Sequence, residues 1–202
     1  NTIVNFMNAK SDPRRAFYFD NNLGANVYTG ANYGAVSNFA SYSHIGTVMH
    51  DPTFRGVLLD YSEVEFLLAE AVERGYSVGG TAATHYTNGI TANMTDWGVS
   101  SADITTYLAR TDVDYATATG DWKQKIGFQF WLAMYNRGFE GWCVKRKYDA
   151  PTFNIAAVSG LPLPNRYTYP LNEPTLNNTN YLAASAAIGG DTQSTKVFWD
   201  KF

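Results

Sequence analysis

Four glutamates, Glu63, Glu65, Glu70 and Glu73, fall close together in the chain, and paired carboxylates are the first chemistry they suggest. Glycoside hydrolysis needs two such groups about 5–10 Å apart in one cleft, one of them with a raised pKa. On a helix Glu63 and Glu70 stand two turns, about 10 Å, apart. With Arg74 nearby, the simpler expectation is a solvated helix face of ordinary charges. His44, His50 and His85 form no H-E-x-x-H or H-x-x-x-H pattern, so no zinc site is expected. The single cysteine, Cys143, sits between Trp142 and Val144; it allows no internal disulfide and reads as a buried, inert thiol. Asp112 and Asp114 lack the glycine and closing glutamate of a calcium loop. Nucleophile-elbow, Walker and dinucleotide motifs are absent, so the sequence predicts no catalytic residues and no cofactor. Two glycosylation-type tripeptides begin at Asn93 and Asn177; such short patterns arise often by chance.

What remains is a surface of aromatic rings and amides. Between residues 21 and 50, Tyr28, Tyr33, Phe39 and Tyr42 alternate with Asn26, Asn32, Asn38 and several serines. Aromatic faces stack on sugar rings, and asparagine amides both donate to and accept from hydroxyls. The candidate ligand-binding residues are therefore Tyr28, Asn32, Tyr33, Asn38 and Tyr42. The competing expectation is that these tyrosines pin a long loop through buried rings.

Composition narrows the possible partners. The chain has 202 residues, 15 % of them aromatic and only 16 % charged, with a net charge of −3. Nucleic-acid binding needs a basic footprint, and no basic run exceeds the "KRK" at 145–147, so no nucleic-acid partner is expected. No apolar run approaches the roughly 20 residues of a spanning helix. The surface residues implied are Asn, Ser, Thr, Gly and Tyr, a mixture more common outside the cell. "NTIVNFMNAK" carries neither an initiator Met nor a signal-peptide pattern, and the chain is expected to be a piece of a longer protein.

The elements follow from periodicity. Residues 1–56 read as irregular, dense in Asn, Gly, Ser and Tyr. From Asp60, apolar or small residues at Val57, Tyr61, Val64, Leu68 and Ala71 predict a helix that buries this face and ends at Gly75, with Glu63, Glu70 and Glu73 off it. Ala83, Tyr86, Ile90, Met94 and Trp97 predict a second helix over 81–97, joined by a short link that makes the two an antiparallel hairpin. Further helices are predicted over 101–110, 121–137 and 139–148, with loop from 150 onward. The fold class is mostly α: tetratricopeptide-like hairpins with long irregular loops, although the 60-to-121 spacing departs from a 34-residue repeat. Three segments result: loop-rich 1–56, a helical core 57–149 and a C-terminal segment 150–202. In that last segment "RYTYPLNEPTLNN" reads as a clasp across the helices, with Arg166 and Glu173 placed to pair or to bond loop carbonyls and Pro170 and Pro174 locking the path.

An ordered set of these segments resembles the SusD/RagB superfamily. "DPRRAFYF" is similar to the family's D-P-R stretch before a variable loop. "DYSEVEFLLAEAVERG" resembles its E-x-x-x-L-x-A-E-A helix, and "HYTNGITANMTDWG" the partner helix. "QKIGFQFWLAMYNRGFEGW" and "RYTYPLNEPTLNN" follow in the family's order. The resemblance implies the C-terminal portion of a SusD-like domain. It also implies a non-catalytic, cell-surface outer-membrane protein that captures oligosaccharides, or peptides in the RagB branch. The implied partner is a SusC-like TonB-dependent transporter, and the implied membrane attachment is a lipid anchor outside this chain. An α-helical glycoside hydrolase using Glu63 and Glu70 is the alternative from a different class.

Overall fold

The computed structural model describes residues 1–200. The chain divides into two compact units, Asn1–Thr152 and Phe153–Phe202. Among the described residues there is no strand, only one isolated antiparallel bridge between Phe19 and Ile45.

In the first unit, α1 (Thr2–Ala9), α2 (Arg15–Tyr18), α3 (Tyr61–Glu73), α4 (Ala82–Asp96), α5 (Ser101–Leu108), α6 (Trp122–Ala133) and α7 (Gly138–Tyr148) follow in order. Local chemistry sets most boundaries. Asp60 Oδ1 accepts from the Glu63 N–H at 2.7 Å, and Thr81 and Ser100 cap α4 and α5 in the same way. Asp121 and Gln124 form a reciprocal capping box on α6. At the end of α3, Gly75 adopts φ +86° and donates to the Val72 carbonyl while Tyr76 donates to Ala71, the left-handed stop that glycine allows. Antiparallel α3 and α4 pack on α6 around Phe66, Tyr86, Ile90, Met94, Ile126 and Phe130. Gly89 sits in α4 despite its poor helix propensity because a Cβ there would lie 3.0 Å from the Phe66 ring.

Three expectations about this unit are corrected. First, residues 1–56 are not wholly irregular: α1 and α2 bury Val4, Met7 and Tyr18 in a second cluster with Phe19, Tyr28 and Leu132. Second, α3 buries Ser62, Glu65, Phe66, Ala69 and Glu70, whereas Tyr61 and Leu67 are exposed. Third, Glu70 is therefore not a solvated charge. Arg74 Nε donates to it at 2.7 Å, and Lys147 Nζ and the Tyr148 hydroxyl also donate to it. The polar face of α3 goes inward because each buried carboxylate has dedicated donors.

The second buried network explains "DPRRAFYF". Arg14 and Asp12 are wholly buried and paired, with Arg14 Nε 3.0 Å from Asp12 Oδ1. The other guanidinium nitrogens donate to Asn93 Oδ1 on α4 at 2.9 Å and to Gln129 Oε1 on α6 at 3.0 Å. Burial works against the charge of Arg14, but Asp12 outweighs it and holds the guanidinium above its ordinary pKa. Asn93, at the head of one glycosylation-type tripeptide, is thus an interior residue.

His85 closes the α3–α4 link. Its Nδ1 lies 2.6 Å from Glu65 Oε2 and its Nε2 lies 2.8 Å from the Gly79 carbonyl. Both partners only accept, so the ring must carry two protons to satisfy them. The Gly79 carbonyl and then Glu65 raise its pKa above the usual histidine value. The stability it adds is complete below about pH 6.5, the unfolded value, and is lost as pH rises through the higher folded value. Thermal midpoints of wild type and His85→Gln are expected to differ most in mild acid and to converge at alkaline pH. A constant gap across that window would show that His85 is not the titrating tie.

Against the expectation of loop beyond residue 150, the second unit contains α8 (Glu173–Leu176) and α9 (Asn178–Ala187). Arg166 does not pair with Glu173. Its Nη1 donates to Asp191 Oδ1 at 2.7 Å, and the Tyr169 N–H donates to the same carboxylate oxygen at 3.1 Å. Glu173 instead accepts from Asn177 Nδ2 at 3.0 Å, one helical turn on. The reason is geometric: Glu173 opens a helix, where its carboxylate is committed to the first turn.

Candidate functional site

The loop after α2 is stitched together by its own polar groups. Asp20 N–H donates to the His44 carbonyl at 3.0 Å, Ser43 N–H to the Thr29 carbonyl at 2.9 Å, and Gly46 N–H to the Tyr18 carbonyl at 2.8 Å. Asn22 bridges the same segments, donating to the Tyr42 carbonyl at 2.9 Å and accepting from His44 N–H at 3.0 Å. These bonds present residues 32–41 as the tip. Between Asn21 and Ser43 the loop contains no charged residue.

At that tip a 3₁₀ turn, Phe39–Ser41, carries an aromatic platform. Asn38 Oδ1 caps the turn by accepting from Ala40 N–H at 3.1 Å. The Phe39 ring stacks on His44 with centroids 3.7 Å apart and planes 12° off parallel. His44 Nε2 lies 3.1 Å from the Phe39 carbonyl; a carbonyl only accepts, so that nitrogen bears the proton. Phe39 is nevertheless 74 % exposed. A large ring that is orientationally fixed and open to solvent has lost its entropy without burying its face, which is the arrangement a stacking ligand exploits.

The five sequence candidates separate here. Tyr28 is only 6 % exposed, packed beside Phe19 with Arg15 over its ring at 5.4 Å. It pins the loop to the second core cluster and cannot stack on a ligand, because its face is already covered. Tyr33 is exposed. Asn32 is exposed and accepts from Asn1 Nδ2 at 3.1 Å. Asn38 is exposed, and its Nδ2 takes no part in the cap it makes. Tyr42 is half-buried. The feature that residue types missed is the Phe39–His44 pair; five-residue spacing across a turn carries no linear signature of stacking.

A separate cleft of about 1090 Å³ lies between residues 51–60, the outward side of α4 and the α6–α7 turn. Phe54 packs on Trp97 with centroids 6.0 Å apart, and Arg55 pairs with Asp96. Arg137 donates to Glu63 at 2.7 Å and to Asp60 at 2.9 Å. None of the five sequence candidates lines this cleft.

The hydrolase alternative fails on the carboxylates themselves. Glu63 is committed to Arg137. Burial pushes the Glu70 pKa up, but hydrogen bonds from Lys147, Tyr148 and Arg74 outweigh it and hold the carboxyl below its usual range, the opposite of a general acid's requirement. Cys143 is partly buried and accepts from Arg146 Nη2 at 3.2 Å. Among the described residues no three His, Cys, Asp or Glu side chains gather as metal ligands, and no helix is long and apolar enough to cross a membrane.

Comparison with known proteins bears on the family and the fold. Residues 1–170 match the SusD-like family described as starch-binding and associating with the outer membrane. A SusD homologue from Bacteroides thetaiotaomicron is 26 % identical, with 99 % of this chain aligned to 51 % of that one at a TM-score of 0.79. A SusD homologue from Bacteroides ovatus is also 26 % identical, covering 98 % and 50 % of the two chains at 0.76. A chitin-binding SusD homologue from Flavobacterium johnsoniae is 27 % identical, covering 96 % and 47 % at 0.73. The chain thus spans about half the length of these relatives. No curated protein matches it in sequence. The relatives share its mostly helical architecture, and their family is described by binding rather than by a reaction. On the match over residues 1–170 and the shared fold, this chain belongs to the SusD-like family.

Proposed function

We propose that the protein captures oligosaccharides at the cell-surface side of the outer membrane for import through a partner SusC-like TonB-dependent transporter, and that it does so without chemistry. The observation that carries the proposal is the Phe39–His44 platform: an exposed ring, held flat, on an uncharged loop of asparagines, serines and tyrosines. Phe39 supplies the stacking face. Asn38, Asn32, Tyr33 and Tyr42 supply amide and hydroxyl groups to the sugar's rim. The family's association with the outer membrane supports the location, and the chitin-binding relative supports a glycan ligand.

Stacking on one ring contributes about 0.5–1.5 kcal/mol beyond area burial, so Phe39→Ala is expected to weaken binding by about tenfold. Isothermal titration of wild type and variant with maltohexaose and chitohexaose checks this. Equal affinity in the two proteins would remove the platform from the site. Binding of short peptides with no response to either sugar would move the cargo to the peptide class.

A further inference from the structure

The cleft beside α4 is distinct from the platform, and its lining has a consistent chemistry. Asn88, Thr91 and Thr95 recur at three- and four-residue spacing along one side of α4 and offer neutral donors and acceptors. At the C-terminal end of the same helix Phe54 rests on Trp97 and gives an apolar wall. Both cations of the cleft are already matched, Arg55 by Asp96 and Arg137 by Asp60 and Glu63. Asp51 adds a further carboxylate, which the Thr53 hydroxyl and N–H, each 2.7 Å away, hold below its usual range. An anionic ligand would find no unmatched cation here and one unmatched anion, so desolvating its charge would go uncompensated. A hydroxyl-rich neutral ligand meets an apolar wall and a row of amides and hydroxyls. The volume, about 1090 Å³, slightly exceeds the roughly 1,000 Å³ to which ligand sites ordinarily run, and so accommodates several sugar rings.

We infer that this cleft is a second carbohydrate-binding site, independent of the Phe39 platform and selective for an uncharged glycan over an acidic one. The inference rests on the oligosaccharide-binding function proposed above. It adds a position and a substrate class: neutral sugars, to the exclusion of uronic or sulfated ones.

The test uses Phe39→Ala protein labelled with ¹⁵N, following the Trp97 indole N–H signal during titration with maltohexaose, chitohexaose and hexagalacturonate. At least one neutral hexasaccharide is expected to move the signal, with half-saturation below about 1 mM. Hexagalacturonate is expected to leave it in place. Ala92→Trp, which fills the cleft from α4, is expected to weaken the response at least about tenfold. Thr95→Trp, at an exposed position of the same helix, repeats the block should the first variant fold poorly. A response to hexagalacturonate equal to that of the neutral sugars would overturn the inference. So would a response that survives both tryptophans, or silence from all three sugars. The two sites fail separately. Binding that Phe39→Ala leaves unchanged sinks the platform and keeps the cleft, whereas loss of every response in Phe39→Ala sinks the cleft and keeps the platform.

Discussion

Arg14→Met is expected to lower the unfolding free energy by about 3–5 kcal/mol, the usual cost of removing one member of a buried ion pair. The substitution keeps the unbranched aliphatic stem and removes the guanidinium, so the unpaired groups outweigh the lost packing. It comes from what is left behind. Asp12 remains wholly buried without its cation, Gln129 loses the donor to its amide oxygen, and Asn93 keeps only the longer 3.3 Å bond from the Tyr18 hydroxyl. These three residues belong to the D-P-R segment, α4 and α6, so the damage falls on the junction of three elements at once. For a chain of this size a kilocalorie moves the midpoint by about 2–4 °C, giving a drop on the order of 10 °C. Adding Asp12→Asn to Arg14→Met should recover part of the loss, because the orphaned charge is gone. A midpoint within about 2 °C of wild type for the single variant would show that water or rearrangement satisfies Asp12, and that this network does not hold the junction.

The next largest effect is expected at Glu70. Glu70→Gln should cost about 2–3 kcal/mol, less than Arg14→Met, because Arg74 and Lys147 are each partly exposed and can regain solvent. The Tyr148 hydroxyl is buried and cannot. The effect has a pH signature. The folded Glu70 carboxyl is held below its ordinary value by Lys147, Tyr148 and Arg74 acting against burial. Its contribution is therefore present above the unfolded pKa of about 4.3 and is lost as pH falls through the folded value. Urea midpoints of wild type and Glu70→Gln should stand apart at pH 7 and draw together as pH falls below about 4. Midpoints that stay equally separated in acid would place the cost in packing rather than in the charge.

Both residues illustrate how a local pattern misleads when burial is decided elsewhere. On α3 the apolar spacing through Tyr61, Val64 and Leu68 marks a legitimate helical face, yet the neighbouring face with Glu65 and Glu70 is the one buried. Periodicity counts hydrophobic residues. It has no access to His85, 20 residues away, or to Lys147 and Tyr148, 77 and 78 residues away, whose donors make those carboxylates tolerable inside. The short α1 and α9, of 8 and 10 residues, were hidden for a related reason. Helices of that length are marginal by propensity alone; α1 is supported by burying Val4 and Met7, and the Asn- and Thr-containing sequences of both do not announce them.

What the residue order determined by itself was local. The caps at Asp60, Thr81, Ser100 and Asp121, the stop at Gly75 and the helices between them depend on atoms a few residues apart. The absence of charge from the 21–43 loop was equally plain. Tertiary structure alone decided which rings of that loop meet solvent. Tyr28 turns in to fill a space left by α1 and α2, while Phe39 turns out onto His44. Both are aromatic residues in the same polar stretch, and nothing in their neighbours distinguishes them. The difference is the free energy of covering one ring with distant side chains, a quantity that exists only once the chain has folded.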